Sequence, residues 1–174
     1  MQIKTFHSFH KEHKKLYEDI LSLTYSVNDT YPQYSTWFKE KFLPDLKNKK
    51  RMYIVAQDES GKLVGCALIK NTEEEKKICT LLVHPDYRKQ GVGEKLMEQT
   101  LSELGEHPLI TVSDKNIEQL SPLLRKKGFH LSAIKKGAYR PEDTEYYFND
   151  KKADAIKDGL IPVLIQRMNK LRQK

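Results

Sequence analysis

The segment Val83-His84-Pro85-Asp86-Tyr87-Arg88-Lys89-Gln90-Gly91-Val92-Gly93 holds the residue types best suited to gripping an anion. Glycines at 91 and 93 let the backbone approach a ligand and turn its amides toward it, and Arg88 and Lys89 add positive charge beside them. Where such a segment opens a helix, successive free N–H groups and the helix dipole form a site for phosphate oxygens. Two glycines also serve ordinary turn geometry, and Gly-x-Gly alone says no more than that. Neither the spaced glycines of a dinucleotide fingerprint nor a phosphate loop ending in Gly-Lys-Ser/Thr is present, which argues against hydride transfer and nucleotide hydrolysis.

The flanking residues define how this segment is held. A β-rich run from Ile78 to Val83 precedes it, and Glu94 to Leu104 follows with Leu96, Met97, Leu101 and Leu104 at helical spacing, so the segment joins a strand to a helix. Upstream, Met52 to Ala56 and Leu63 to Ile69 flank the turn composition Asp58-Glu59-Ser60-Gly61 and predict a hairpin. Adding Ile78 to Val83 makes an antiparallel meander with Cys66 and Cys79 on neighbouring strands. Two helices are expected before it, from Phe6 to Thr24 and from Tyr34 to Leu46. After it come a strand from Leu109 to Val112, a helix from Ile117 to Lys127 closed by Gly128, and strands near His130 to Ile134 and Glu145 to Phe148. The expected order is ααβββαβαββ. Residues 151–174 read as a helical extension, broken at Gly159 and Pro162, whose apolar face (Leu160, Leu164, Ile165, Met168, Leu171) packs on the domain or on a partner.

The pattern Arg88-x-x-Gly91-x-Gly93, following Leu81-Leu82-Val83 and His84-Pro85-Asp86-Tyr87, resembles the central motif of the GNAT superfamily of acyl-CoA-dependent N-acyltransferases. The resemblance extends through Leu63-Val64-Gly65-Cys66-Ala67, Asn116 and Arg125-Lys126-Lys127-Gly128-Phe129, and covers roughly Met52 to Phe148. It implies an α/β chain of GNAT fold over residues 1–150, with a mixed, mostly antiparallel sheet of about 6–7 strands flanked by helices. It implies further that the amides around Gln90, Gly91, Val92 and Gly93 hold the pyrophosphate of acetyl-CoA, with Arg88 and Lys89 nearby and Glu94 and Lys126 completing the set. The pantetheine arm would bond along Leu82 and Val83, where that strand splays from Leu109 to Val112. Asn116 matches a position that contacts the arm in relatives; it would equally cap the helix after it. The implied reaction is direct attack by a neutral amine on the thioester, with a backbone amide polarising the developing oxyanion and neither metal nor covalent enzyme intermediate.

One departure concerns proton transfer. Many relatives carry a tyrosine, as acid for the leaving thiolate, at the position where this chain has Leu124. Ser121, Tyr139 and Tyr147 are the candidate replacements, beside Tyr146 and bulk water. Candidate bases are Glu75, with Glu73 and Glu74 before it, Asp114 and His84, although the carboxylates also suit solvated turns and His84 suits loop packing. Tyr34, Trp37 and Tyr146 are the candidate acceptor contacts, the first two belonging to an aromatic cluster with Tyr31 and Phe38 that equally suits core packing. His7, His10 and His13 recur at spacing three without a Cys or carboxylate partner and read as surface residues, so no metal is expected.

Length and composition set outer bounds. At 174 residues, 38% hydrophobic and 32% charged, the chain is expected to form one folded domain. Two cysteines exclude a disulfide framework and fit a reducing cytoplasm. The first twenty residues lack an apolar h-region and the longest apolar run, Leu160 to Ile165, is interrupted by Pro162, so neither export nor membrane contact is expected. Of the net charge of +7, residues 149–174 contribute +4, which leaves little for a polyanion elsewhere. Lys47 to Arg51 and the tail are the only material for nucleic-acid binding, and neither has an aromatic-interleaved basic pattern. The expectation is thus an N-acetyltransferase, monomer or homodimer, acting on a primary amine of a small molecule or peptide; the alternative is a non-catalytic acyl-CoA-binding sensor.

Overall fold

Apolar residues fill Met52 to Ala56 and Leu63 to Ile69 almost without interruption, which is the composition of strands covered on both faces. In the computed structural model, which describes residues 1–105 and 107–153, these runs lie inside strands β2 (Arg51–Gln57) and β3 (Leu63–Asn71). The other strands are β1 (Gln2–Phe6), β4 (Lys76–Val83), β5 (Leu109–Ser113), β6 (Leu131–Lys136) and β7 (Thr144–Phe148). They form one seven-stranded sheet in the order β1-β2-β3-β4-β5-β7-β6, antiparallel throughout except between β4 and β5.

Strand alternation sorts the side chains between two cores. Met52, Ile54 and Ala56 point to the face covered by helices α4 (Val92–Leu104) and α5 (Asp114–Lys126), where they pack with Leu96, Met97 and Leu124. Tyr53 and Val55 point the other way, into a core with Tyr17, Ile20, Tyr34, Phe38, Phe42 and Leu46. Those residues come from α1 (Lys14–Leu23), α2 (Tyr34–Trp37), α3 (Leu43–Lys47) and a π-helical turn, Phe38–Phe42, that joins the last two. Helix α4 approaches the sheet over Gly65, where an added Cβ would lie 3.0 Å from Leu96 Cδ1 and 3.1 Å from the Leu82 carbonyl oxygen. Gly65→Ala should therefore force backbone or helix to shift and lower stability by about 1–3 kcal/mol, read as a fall in the urea midpoint at unchanged slope.

The observed order agrees with the expected one from β2 to β7 and differs at the N-terminus. Phe6 ends a strand that pairs with β2 from Gln2↔Gln57 to Phe6↔Tyr53, and the first helix begins only at Lys14 after a 3-10 turn at Lys11–His13. β1 is a five-residue edge strand with only Ile3 and Phe6 as apolar side chains, so its existence depends on its partner rather than on its own pattern. His10 and His13 consequently sit at the entry to α1 rather than along it, and the His13 ring bonds the Tyr53 hydroxyl at 2.6 Å. Helix α5 opens three residues earlier than the periodicity indicates, directly behind β5. Among the described residues no helix is long and apolar enough to cross a membrane. The expected helical extension falls, but for residues 151–153, outside the described residues.

Candidate active site

β4 and β5 pair in parallel only at Lys77↔Leu109 and Ile78↔Ile110. Beyond those two positions β4 continues with β3 toward Val83 while β5 turns to β7, and the strands diverge. A cleft of about 910 Å³ opens there. Ile78 and Ile110 form its floor; Thr80 to Val83 make one wall, and Thr111, Val112, Asn116, Leu120 and Leu123 make the other. Arg88, Lys89, Gly91, Gly93 and Glu94 close one end, and Ser26, Asp29, Thr30 and Tyr31 close the opposite end.

The Arg88 to Gly93 end is built for anions. A 3-10 turn, Pro85–Tyr87, is capped by His84, whose Nδ1 accepts from the Asp86 N–H at 3.3 Å. Arg88 Nε donates to the Val83 carbonyl at 3.2 Å, which ties the guanidinium to the end of β4. Lys89 and Gly91 both adopt left-handed backbone, with φ of 59° and 79°, so the chain turns sharply into α4. No side chain caps that helix, and its first N–H groups have no intrahelical partner. Glu94, in the first turn, is drawn away by Lys126 at 2.6 Å and Lys127 at 3.2 Å, which hold its carboxyl below the usual carboxylate range. The residues present thus fit a diphosphate at the helix start, with an extended arm beside the unmatched edge of β4.

Behind the opposite end lies a buried carboxylate. Glu145 on β7 is 1% exposed, and its Oε1 accepts from the Tyr31 hydroxyl at 2.8 Å. Burial pushes the Glu145 carboxyl up, against the lowering effect of hydrogen bonds from Tyr31 and Thr111. Burial also pushes the Tyr31 phenol up, aided by the charge on Glu145. The Tyr139 ring packs edge-on against Tyr31 at 4.8 Å, and Arg140 Nη2 donates to the Asn28 carbonyl at 3.1 Å, fixing the β6–β7 connection over this end.

The structure brings together Leu82, Val83, Arg88, Lys89, Gly91, Gly93, Glu94 and Asn116 at the cleft. Asn116 does not cap α5; Ser113 precedes the helix, and Asn116 Nδ2 reaches its hydroxyl at 3.4 Å. Val92 is buried beneath the loop, the Gln90 side chain turns back to the Asp86 carbonyl at 2.8 Å, and Lys126, which does not line the cleft, pairs with Glu94. None of the candidate acids and bases lines the cleft. Ser121 is buried on α5, half-exposed Tyr139 lies behind Tyr31, and Tyr147 lies under Lys135, whose Nζ is 4.5 Å from its ring centroid. Glu75 pairs with Lys70 at 2.7 Å, Asp114 accepts from the Thr144 N–H at 3.1 Å, and His84 serves its turn. Tyr34 is a core residue bonded to the Thr80 hydroxyl at 2.9 Å, Trp37 packs between Tyr34 and Phe42, and Tyr146 packs on the α4–α5 core. Leu124 is fully buried, and Leu120 and Leu123 are the α5 leucines that face the cleft. Reasoning from sequence missed Asp29, Thr30, Thr111 and Glu145; the one available signal was an acid between Thr144 and Tyr146 in an otherwise apolar strand.

This sheet, divided between two parallel neighbours with a glycine-bearing helix start at the division, is that of an α/β protein of GNAT fold. The aminoglycoside 6'-N-acetyltransferase complexed with coenzyme A superposes with a TM-score of 0.64 at 15% identity, over 88% of this chain and 100% of that one. The NatC complex bound to Gag peptide and CoA gives 0.64 at 18%, over 85% and 97%. A GNAT-family acetyltransferase from Staphylococcus aureus Mu50 gives 0.60 at 15%, over 86% and 100%. A search of curated proteins returns no match. Residues 49–131, which run from just before β2 to the start of β6, match the model described as the acetyltransferase (GNAT) domain.

Proposed function

We propose that the protein is an N-acetyltransferase that transfers acetyl from acetyl-CoA to a primary amine by direct attack in a ternary complex. The observation that carries this reading is the divergence of β4 and β5 beside an uncapped helix start flanked by Arg88 and Lys89. Acetyl-CoA, when bound, supplies an activated acyl group on a thiol leaving group. The amides at Gly91 to Glu94 receive the phosphates, with Arg88 and Lys89 supplying charge that shifts to meet them. The free edge of Leu82 and Val83 receives the amide-bearing arm as an added strand. Asn116 reaches the arm from α5. The walls of the cleft hold the reacting carbon against the acceptor and keep water away, which is where most of the rate advantage of a two-substrate reaction originates.

The acceptor enters from the Asp29–Tyr31 end, where the Asp29 carboxylate suits an ammonium and the cationic phosphate end does not. One structural neighbour is named for acetylating an aminoglycoside and another is bound to a peptide, which supports an acceptor here that is either a small-molecule amine or a peptide amine. A panel of polyamines, amino acids, aminoglycosides and peptides, read by release of free CoA thiol, tests this. Acceptor-dependent thiol release is the expected result. Tight acetyl-CoA binding by calorimetry with no acceptor raising thiol release would convert the assignment to a sensor.

A further inference from the structure

The phenol of Tyr31 lines the acceptor end of the cleft, and directly behind it lies a carboxylate that the cleft does not reach. Glu145 is held from several elements. Tyr31 and Thr111 hydrogen-bond it, Lys77 on β4 and Asp114 on α5 act on it through their charges, Lys135 stands opposite it on β6, and Tyr147 follows it on its own strand. Burying a carboxylate at 1% exposure is costly unless its oxygens are bonded, and both groups that bond it, Tyr31 and Thr111, line the cleft. Of the other carboxylates near the cleft, Asp114 is committed to a backbone amide and Glu94 to two lysines, while Asp29 is exposed at the rim.

We propose that Tyr31 and Glu145 form the proton-accepting pair for the incoming amine, Tyr31 as the catalytic residue and Glu145 as the positioning residue that draws the proton through it. The proposal rests on the acetyltransferase reading and names the groups that serve it. As the nitrogen lone pair forms the new C–N bond, the C–S bond breaks and its electron pair leaves with sulfur. One N–H proton passes to the Tyr31 oxygen while the phenolic proton passes to Glu145 Oε1. The phenol is therefore neutral before and after, Glu145 returns its proton to solvent, and the thiolate takes one from solvent. Burial acts in favour of this role, because a carboxyl pushed up from its ordinary range is a stronger base toward the phenol than an exposed one.

The test uses the full chain with Tyr31→Phe and Glu145→Gln. In the free protein, carboxyl-labelled NMR should find Glu145 titrating above an ordinary glutamate. Its midpoint should rise further in Tyr31→Phe, because the hydrogen bond that favours the ionised form is lost. In turnover with whichever amine the wild type acetylates, both variants should lose roughly 100-fold or more in kcat with acetyl-CoA affinity unchanged. The wild-type rate should fall as pH drops through the Glu145 midpoint, since the base must be ionised, and Glu145→Gln should lose that limb. Should Glu145→Gln fail to fold, Tyr31→Phe keeps the ring against Tyr139 and carries the test alone. Wild-type kcat and pH profile in the variants, or a Glu145 midpoint indifferent to Tyr31→Phe, overturns the pair and leaves the acetyltransferase reading intact. A wild-type chain that binds no acetyl-CoA overturns that reading, and the pair with it.

Discussion

Gly91→Glu is expected to abolish acetyl-CoA binding in titration calorimetry, with a loss of at least roughly 100-fold in affinity. Two effects act together. Gly91 has φ of 79°, a conformation that costs a residue with a Cβ about 1–2 kcal/mol. The new carboxylate also stands at the start of α4, where the phosphates would meet the amides. Like charges about 4 Å apart repel by about 1 kcal/mol in bulk water and by about 4 kcal/mol near a protein surface, and this exposed site lies between those limits. Gly91→Ala separates the contributions, since an added Cβ meets nothing within 4 Å and only the backbone is strained. Its affinity should fall about tenfold. An unchanged dissociation constant in Gly91→Glu would remove the phosphate assignment altogether.

Arg51→Ala should produce the largest loss of stability, about 3 kcal/mol, measured by denaturant unfolding. Arg51 is 7% exposed at the start of β2 and links three groups. Its Nε donates to Asp45 Oδ2 at 3.3 Å, its Nη1 reaches Cys79 Sγ at 3.1 Å, and its guanidinium lies 5.5 Å from the Trp37 ring centroid. Truncation leaves Asp45 largely buried with only Lys41, at 3.5 Å, to balance it, which puts the effect at the lower end for a broken buried pair. It also frees α3 from the sheet on the face that carries the acceptor end of the cleft. Arg51→Lys should recover little, because an ammonium cannot serve the carboxylate, the sulfur and the indole face at once. Wild-type stability in the alanine variant would show that the helix is held by packing alone.

The parts of the site that were legible in the sequence are those whose chemistry is local. The strand, the turn and the glycines from Leu81 to Gly93 follow one another in the chain, so their types report their geometry directly. The acceptor end is assembled from distant pieces. Tyr31 and Glu145 are 114 residues apart, and no pattern within either segment announces the other. Tyr34 and Trp37 share the composition of Tyr31 but lie on a helix turned toward Thr80 and Phe42, and a difference of three residues decides between core and cleft. β1 escaped for a related reason, since an edge strand takes its conformation from its neighbour. The tyrosine position at Leu124 shows the same limit from the other side: a side chain's place in a motif does not fix its rotation about α5, which here turns Leu120 and Leu123 to the cleft.

The two-residue contact between β4 and β5 has a thermodynamic consequence as well as a chemical one. Past Ile78 and Ile110 the sheet has an edge in its own interior, where backbone donors and acceptors have no partner strand between β4 and β5. A ligand that lies along Leu82 and Val83 completes the sheet, so its binding is in part a folding reaction. Free acetyl-CoA at 100 times its dissociation constant would add about 2.7 kcal/mol to the native state. Amide hydrogen exchange should slow at residues 79–83 when it binds, and, on the proposed acetyltransferase reading, the lifetime of the protein in a cell would follow the supply of that cofactor.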